Sequence, residues 1–319
     1  MKSNKLYIIG NGFDRAHNLP TAYSDFNDWL RGNSYVQDNL SDNKMFASDL
    51  DDIFRFSESN GEQIELWSDF EKALGCLNIG SYIQNVASDW GNIDYSDEDG
   101  IALGDLSEQV YGYIENITKP LALDHIAERF AAWVKSMPLY DDTDPIYEDI
   151  DPEGIFLTFN YTDVLEKVYR VDPARILHIH GRASAENSEI IVGHGAMYDP
   201  NTYAKVEQRL LGTNADVSSL LANSMNNLRK NTADIIKQYQ RWFDNLKNYG
   251  VEEIYLYGLS FGTVDDAYYK EINKQLPNAK WAFAVYAPND KIKSANIKRI
   301  NAFTKRIGIP KRNCRTFDL

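Results

Sequence analysis

Apolar and polar positions fall into blocks along the chain, and their length and period separate strands from helices. The first block, Leu6-Tyr7-Ile8-Ile9, is a short apolar run closed by Gly10. A run of that length bounded by glycine predicts a buried parallel strand. Residues 21–31 carry Tyr23, Phe26, Trp29 and Leu30 at helical spacing, with Thr21 as N-cap. Residues 62–78 set Leu66, Trp67, Phe70, Leu74 and Leu77 on one helical stripe, which reads as core packing. Residues 88–104 are acidic and read as a loop, and 105–137 form a long helical pattern interrupted by Pro120. The acids and prolines of 138–153 read as a linker or surface loop.

From residue 155 the pattern changes. Ile155 to Phe159 predicts a strand stopping at Asn160, with a helix over 162–170. Arg175 to His180 is a second strand and Ile190-Ile191-Val192 a third. Residues 218–248 read as helical, Glu253 to Tyr257 as a strand ending at Gly258, and 264–275 as a helix. A strand over 280–286 and a helix over 290–308 follow. Strands alternating with helices predict an α/β fold: a doubly wound, mostly parallel, Rossmann-like sheet with a helical insertion. The core is assigned to residues 1–34 and 151–319, and the insertion or subdomain to 35–150.

Composition narrows the class. Of 319 residues 43% are hydrophobic, ample for a packed core. Two cysteines, Cys76 and Cys314, make neither a disulfide framework nor a metal-ligand spacing, which favours a reducing compartment. No apolar stretch is long enough for a signal peptide or a membrane span, so a cytoplasmic location without membrane contact is expected. The net charge of −14 disfavours nucleic acid as a partner. Basic residues do crowd 291–315, among them Lys298, Arg299, Lys305, Arg306, Lys311 and Arg312, and read as the solvated face of an amphipathic helix.

Ligands of doubly wound sheets bind beyond the carboxyl ends of the strands, so the strand ends carry the candidate chemistry. Gly10-Asn11-Gly12-Phe13-Asp14 follows the first strand, and its glycines would let the backbone approach a phosphate. A plain tight turn explains it about as well, because Arg15 stands where the third glycine of the usual fingerprint would be. Pro20, ten residues after Gly10, predicts an extended loop before the next helix. Asn160, within Thr158-Phe159-Asn160-Tyr161-Thr162-Asp163, offers an acceptor and two donors at a strand end, or caps the following helix. His178 and His180 lie two apart and would share a face, with His180 nearer the carboxyl end and His178 the better fit to a hydrogen-bonded structural role. A metal site with His194 is disfavoured, since no carboxylate or cysteine stands at matching spacing. Gly258 to Gly262 satisfies Gly-x-Ser-x-Gly around Ser260, but no histidine follows His194, so the hydrolase triad order fails. Ser260, Thr263 and Asp265 could instead bond ribose, phosphate or the helix end.

Several of these segments together resemble the phage abortive-infection AbiH family: IIGNGFDRAHNLPTAYSDF, LWSDFEKAL, LTFNYTDVLEKVY, LHIHG and LYGLSFGTVDD. The resemblance runs from residue 6 to about 286. The motif order also resembles sirtuin-like NAD-binding domains, whose Gly-Ala-Gly-x-Ser loop, Thr-x-Asn-Tyr-Asp, His-Gly and Gly-x-Ser-Phe are matched by Gly10 and Gly12, by Thr158, Asn160 and Tyr161, by His180-Gly181, and by Gly258 to Phe261. That resemblance implies a sirtuin-like core that breaks the nicotinamide–ribose bond through Asn160 and His180. It also implies an NAD pocket formed by Gly10, Asn11, Gly12, Phe13, Asp14, Thr158, Tyr161, Gly258 and Ser260. Several defence proteins with a domain of this type degrade NAD and so starve the infected cell, which the resemblance implies here. Asn11 departs from the pattern where it has Ala, Asp14 where it has Ser, and Thr162 where it has Asp.

The expected activity is therefore hydrolysis of NAD, as substrate and without a metal, in antiviral defence. A nucleotide sensor without catalysis is the alternative. The expected partner is a small-molecule nucleotide, with a second copy of the chain and a phage trigger protein as further candidates.

Overall fold

The structure is a computed structural model, and the residues it describes are 3–33, 40–54, 58–59, 62–63, 70–77, 123–137, 144–186, 189–198 and 215–319. Contacts divide the chain into two compact units. One comprises Met1–Ala22, Ala131–Ile191 and Asn231–Leu319, and the other Tyr23–Phe130 and Val192–Lys230.

The first unit holds a six-stranded, all-parallel sheet. Its strands are β1 (Lys5–Ile9), β4 (Ile155–Thr158), β5 (Ile176–His178), β6 (Glu253–Tyr257), β7 (Lys280–Val285) and β8 (Cys314–Asp318). They lie in the order β5-β4-β1-β6-β7-β8. Chain order runs outward from β1 in both directions, the doubly wound arrangement with its switch point between β1 and β6. The fold class read from the pattern is the one observed.

Side chains alternate across each strand. Leu6, Ile8, Leu157, Ile254, Leu256 and Phe283 belong to one core, together with Tyr268, Tyr269 and Ile272 of the helix Asp266–Gln275 and Ile300, Phe303 and Ile307 of the helix Asp290–Ile307. Tyr7, Ile9, Phe156 and Tyr257 belong to the other, with Phe13 from Asn11–Ala16 and Val164 and Leu165 from Val164–Lys167. The chain therefore leaves β1 toward one face and β6 toward the other. This divergence is what opens a crevice at a switch point.

In the second unit, Phe26 of the helix Tyr23–Leu30 packs on Phe130 at 4.7 Å and stacks on Trp29 at 6.2 Å. The Lys230 ammonium is buried against Glu71 at 2.6 Å. The pair β2 (Glu58–Ser59) and β3 (Glu62–Gln63) is antiparallel. In chain order the described helices are α1 (Asn11–Ala16), α2 (Tyr23–Leu30), α3 (Leu40–Phe54), α4 (Phe70–Leu74), α5 (Leu123–Ser136), α6 (Val164–Lys167), α7 (Ala215–Asn227), α8 (Thr232–Gln238), α9 (Gln240–Asn245), α10 (Asp266–Gln275) and α11 (Asp290–Ile307).

Several expectations are corrected. Helix α1 starts at Asn11, directly after Gly10, where an extended loop was expected; Gly10 is its extended N-cap at φ −123° and ψ 178°. Ile190-Ile191-Val192 is not a strand: Ile191 N–H bonds His180 O at 2.9 Å and Tyr161 OH donates to Ile191 O at 3.0 Å, so the segment is held as a loop. The helix expected over 162–170 is shorter (α6), and the stretch 218–248 is three helices (α7, α8 and α9). The edge strand β8 was not foreseen. Leu66, Trp67, the loop 88–104, Pro120 and the first part of the linker at 138–143 lie outside the described residues.

Candidate functional site

Register aligns the strand ends. Ile9 pairs with Thr158 on one side and Tyr257 on the other, and Thr158 pairs with His178. Gly10, Asn160, His180 and Gly258 therefore follow the last rungs of four adjacent strands at one edge of the sheet.

The glycines at this edge serve the approach of two backbones. Gly12 N–H donates to Gly258 O at 2.8 Å, and Phe13 N–H to Gly10 O at 2.9 Å. A Cβ on Gly12 would lie 2.8 Å from Gly258 Cα, and one on Gly258, whose φ is +65°, would lie 2.2 Å from Phe13 N. Two donors of the Gly-x-Gly turn thus close onto the protein. Phe13 itself is buried among the rings of His17, Tyr147, Tyr169 and Tyr257 at 4.7–6.2 Å. Asn11 is exposed, and its amide donates to Thr21 O at 2.7 Å.

Asp14 is 2% exposed. Thr162 Oγ1 donates to its Oδ2 at 2.7 Å. Burial pushes the carboxyl up to about 7, against the pull of the hydrogen bonds from Thr162 and Asn160 and the charge of His178, and Glu166 adds to the rise. Asp14 and Thr162, which follow different strands, are therefore hydrogen-bonded partners.

Asn160 is buried, and its Nδ2 donates to Gly10 O at 3.1 Å. Its own N–H bonds Thr158 Oγ1 at 3.1 Å. Its nitrogen is thereby committed to the β1 turn, so Oδ1 is the atom left to act as acceptor. Tyr161 braces the loop before Val192 through Ile191 O.

The two histidines diverge, against the expectation that they share a face. β5 ends at His178, and strand alternation ends with it. His178 Nδ1 faces Asn160 O at 3.2 Å and Nε2 faces Glu166 Oε1 at 3.0 Å, so both nitrogens are engaged by protein oxygens. His180 points into the opposite core, between Phe159 at 5.2 Å and Tyr268 at 5.7 Å. Its Nε2 stands 3.6 Å from Asp265 Oδ1.

Beyond β6 the turn carries Ser260, which is exposed, and Phe261, whose φ of +60° is unusual for an aromatic residue. The strained residue is held by Phe303 at 4.7 Å and by Arg306 Nη2, which donates to Phe261 O at 2.9 Å. Strain of this kind, worth about 1–3 kcal/mol, is concentrated at functional sites.

Sequence reasoning missed a supporting cluster. Arg182 Nε and Ser184 Oγ donate to buried Asp163 Oδ1 at 2.6 and 2.7 Å, and Arg182 also reaches Glu166 at 3.4 Å. Burial opposes ionisation of Asp163, but these bonds and Lys167 hold its carboxyl below the usual range. Buried His17 was missed as well: its nitrogens face Phe13 O and Tyr169 OH at 2.8 and 2.9 Å, and burial lowers its pKa.

His194 belongs to the second unit, where Nε2 faces Met225 O at 3.0 Å. Among the described residues no group of three or more His, Cys, Asp or Glu is placed to hold a metal ion. No described helix is long and apolar enough to cross a membrane. In the basic C-terminal segment, Lys293 pairs with Asp318 at 2.6 Å and Arg306 with Asp266 at 2.5 Å, while Lys298, Arg299, Lys305, Lys311 and Arg312 are exposed.

Compared with known proteins, residues 6–285 match the model of one family, bacteriophage abortive infection AbiH. No curated protein matches the chain, and no solved structure does.

Proposed function

The chain belongs to the bacteriophage abortive infection family AbiH, and from that premise we propose that it acts in phage defence by hydrolysing NAD at the nicotinamide–ribose bond. The observation that carries this reading is the alignment of Asn160 and His180 at the ends of neighbouring strands, beside the switch point between β1 and β6. Nucleotides bind doubly wound sheets at such a point.

The bond breaks through a cation-like ribosyl transition state, as in glycoside hydrolysis. The carbon–nitrogen electron pair leaves with nicotinamide, neutralising its ring nitrogen. Water attacks the anomeric carbon, and its proton passes to His180 and then to solvent. Asn160 Oδ1, fixed by the bond from Nδ2 to Gly10 O, accepts from a ribose hydroxyl or from the water, and its negative end favours the developing positive charge. Thr158 and Tyr161 hold the Asn160 segment. Gly10, Asn11 and Gly12 form a wall of the pocket, and the Gly258 turn brings the Ser260 hydroxyl to the nucleotide. Since Gly12 and Phe13 N–H are bonded within the protein, the pyrophosphate takes its donors elsewhere. Loss of NAD halts the infected cell, and the cytoplasm, where NAD is found, is the site of action.

The test is incubation of the purified protein with NAD, alone and with phage lysate as a source of trigger, following nicotinamide and ADP-ribose. Release of both is expected; no release in either condition overturns hydrolysis. A second reading, a nucleotide-binding component without turnover, is favoured by the buried Asp14–Thr162 pair that replaces the sirtuin-like Ser and Asp. Calorimetry separates the two: binding of NAD or ADP-ribose without release supports the second.

A further inference from the structure

Asp265 occupies the N-cap position of α10, with φ −92° and ψ 4°. An aspartate there ordinarily accepts a hydrogen bond from a backbone N–H in the first helical turn. This one makes no such bond. Its Oδ1 stands instead 3.6 Å from Nε2 of His180, an ion-pair distance between a side chain that is 25% exposed and one that is 3% exposed.

The imidazole is held from its other sides by rings. Phe159 and Tyr268 pack on it at 5.2 and 5.7 Å. Tyr268 is a titratable side chain against it, and buried Tyr269 of the same helix interacts electrostatically with Asp265. The neighbouring acid, Asp266, is committed elsewhere: Arg306 Nε and Nη2 donate to it at 2.5 and 3.0 Å. Asp265 is thus the carboxylate that the turn after β6 directs at the end of β5.

We propose that Asp265 is the positioning residue for His180, fixing the orientation of its ring and stabilising the imidazolium formed when His180 takes a proton from the attacking water. A carboxylate behind a catalytic imidazole performs this task in other hydrolases without itself becoming protonated. The inference rests on reading His180 as the base of NAD hydrolysis.

The pairing can be tested without turnover. Histidine-labelled full-length protein is titrated by NMR, with the His180 signal identified from the spectrum of His180→Gln. In Asp265→Asn the His180 midpoint is expected to fall by about one pH unit or more, since a carboxylate within 4–6 Å favours the charged ring. Asp265→Glu retains the charge and is expected to restore most of the midpoint, which also guards against a folding defect in the amide variant. In the nicotinamide-release assay the acid limb of the pH profile should move in the same direction. An unchanged His180 midpoint in a folded Asp265→Asn protein overturns the proposal. A shifted midpoint in a protein whose wild type releases no nicotinamide supports the pairing and overturns the hydrolysis reading alone.

Discussion

Thr162 Oγ1 donates a hydrogen bond of 2.7 Å to Oδ2 of the buried Asp14, joining the turn after β1 to the turn after β4. The two residues are 148 positions apart. Their bond ties two segments distant in sequence, and it holds a carboxyl whose ionisation is opposed by burial.

That opposition makes stability depend on pH. Burial raises the Asp14 carboxyl in the folded protein to about 7, from its ordinary value of 3.8. The folded protein therefore binds the extra proton between these values, and Asp14's contribution to stability falls as pH rises from about 4 to about 7. Asp14→Asn keeps an acceptor for Thr162 and removes the charge. At pH 8 this variant is expected to be more stable than the wild type, by as much as about 4 kcal/mol at 1.36 kcal/mol per pH unit, with little difference near pH 4. Thermal unfolding across that range measures it; parallel curves for the two proteins would contradict the assignment. Glu166 and His178 also act on this carboxyl, in opposite directions.

The pairing of hydroxyl and carboxyl is testable by swapping the two groups. Thr162→Asp alone sets two carboxyls against each other in a buried site and is expected to cost on the order of 3 kcal/mol. Asp14→Ser alone leaves two hydroxyls. The double variant restores a hydroxyl–carboxyl pair, so a double-mutant cycle in denaturant should show favourable coupling of about 1–3 kcal/mol. Additive effects would show that the two side chains do not act together.

The fold was legible in the sequence wherever a strand is buried on both faces. Leu6 to Ile9 and Ile155 to Thr158 read as apolar runs closed by Gly or Asn because both faces of the sheet are covered there. β8 was not legible: it lies at the sheet edge with Arg315, Thr316 and Asp318 exposed, and leaves no apolar run. Ile190-Ile191-Val192 misled for the opposite reason, its apolar side chains being partly or fully buried in a loop whose backbone bonds His180 and Tyr161. At the site, the strand-end positions of Asn160 and His180 followed from the pattern. The divergence of His178 from His180 did not, because it depends on β5 ending at His178. Partners such as Asp14 and Thr162 meet only after the sheet assembles.

The Gly-x-Gly turn answers to backbone packing. Gly258→Ala places a Cβ 2.2 Å from Phe13 N at a φ of +65°. It is expected to lower stability by on the order of 2 kcal/mol or more, read as a fall in melting temperature without ligand. An unchanged melting temperature would show that the turn relaxes and that its glycines are retained for another reason.

Ser260 separates binding from folding. It is exposed at the turn after β6. Ser260→Ala should leave stability within about 0.5 kcal/mol of the wild type. It should weaken NAD binding about fivefold, as expected for one hydrogen bond of about 1 kcal/mol. Calorimetry with NAD measures the binding term, and unchanged affinity would remove Ser260 from the pocket.

The most direct test of the strand-end site compares nicotinamide release from NAD by the wild type and by Asn160→Ala, at matched concentration and with melting temperatures measured in parallel. Release by the wild type and its loss, by a factor of about 100 or more, in a folded Asn160→Ala protein are the expected results. Equal release by both proteins would contradict the account.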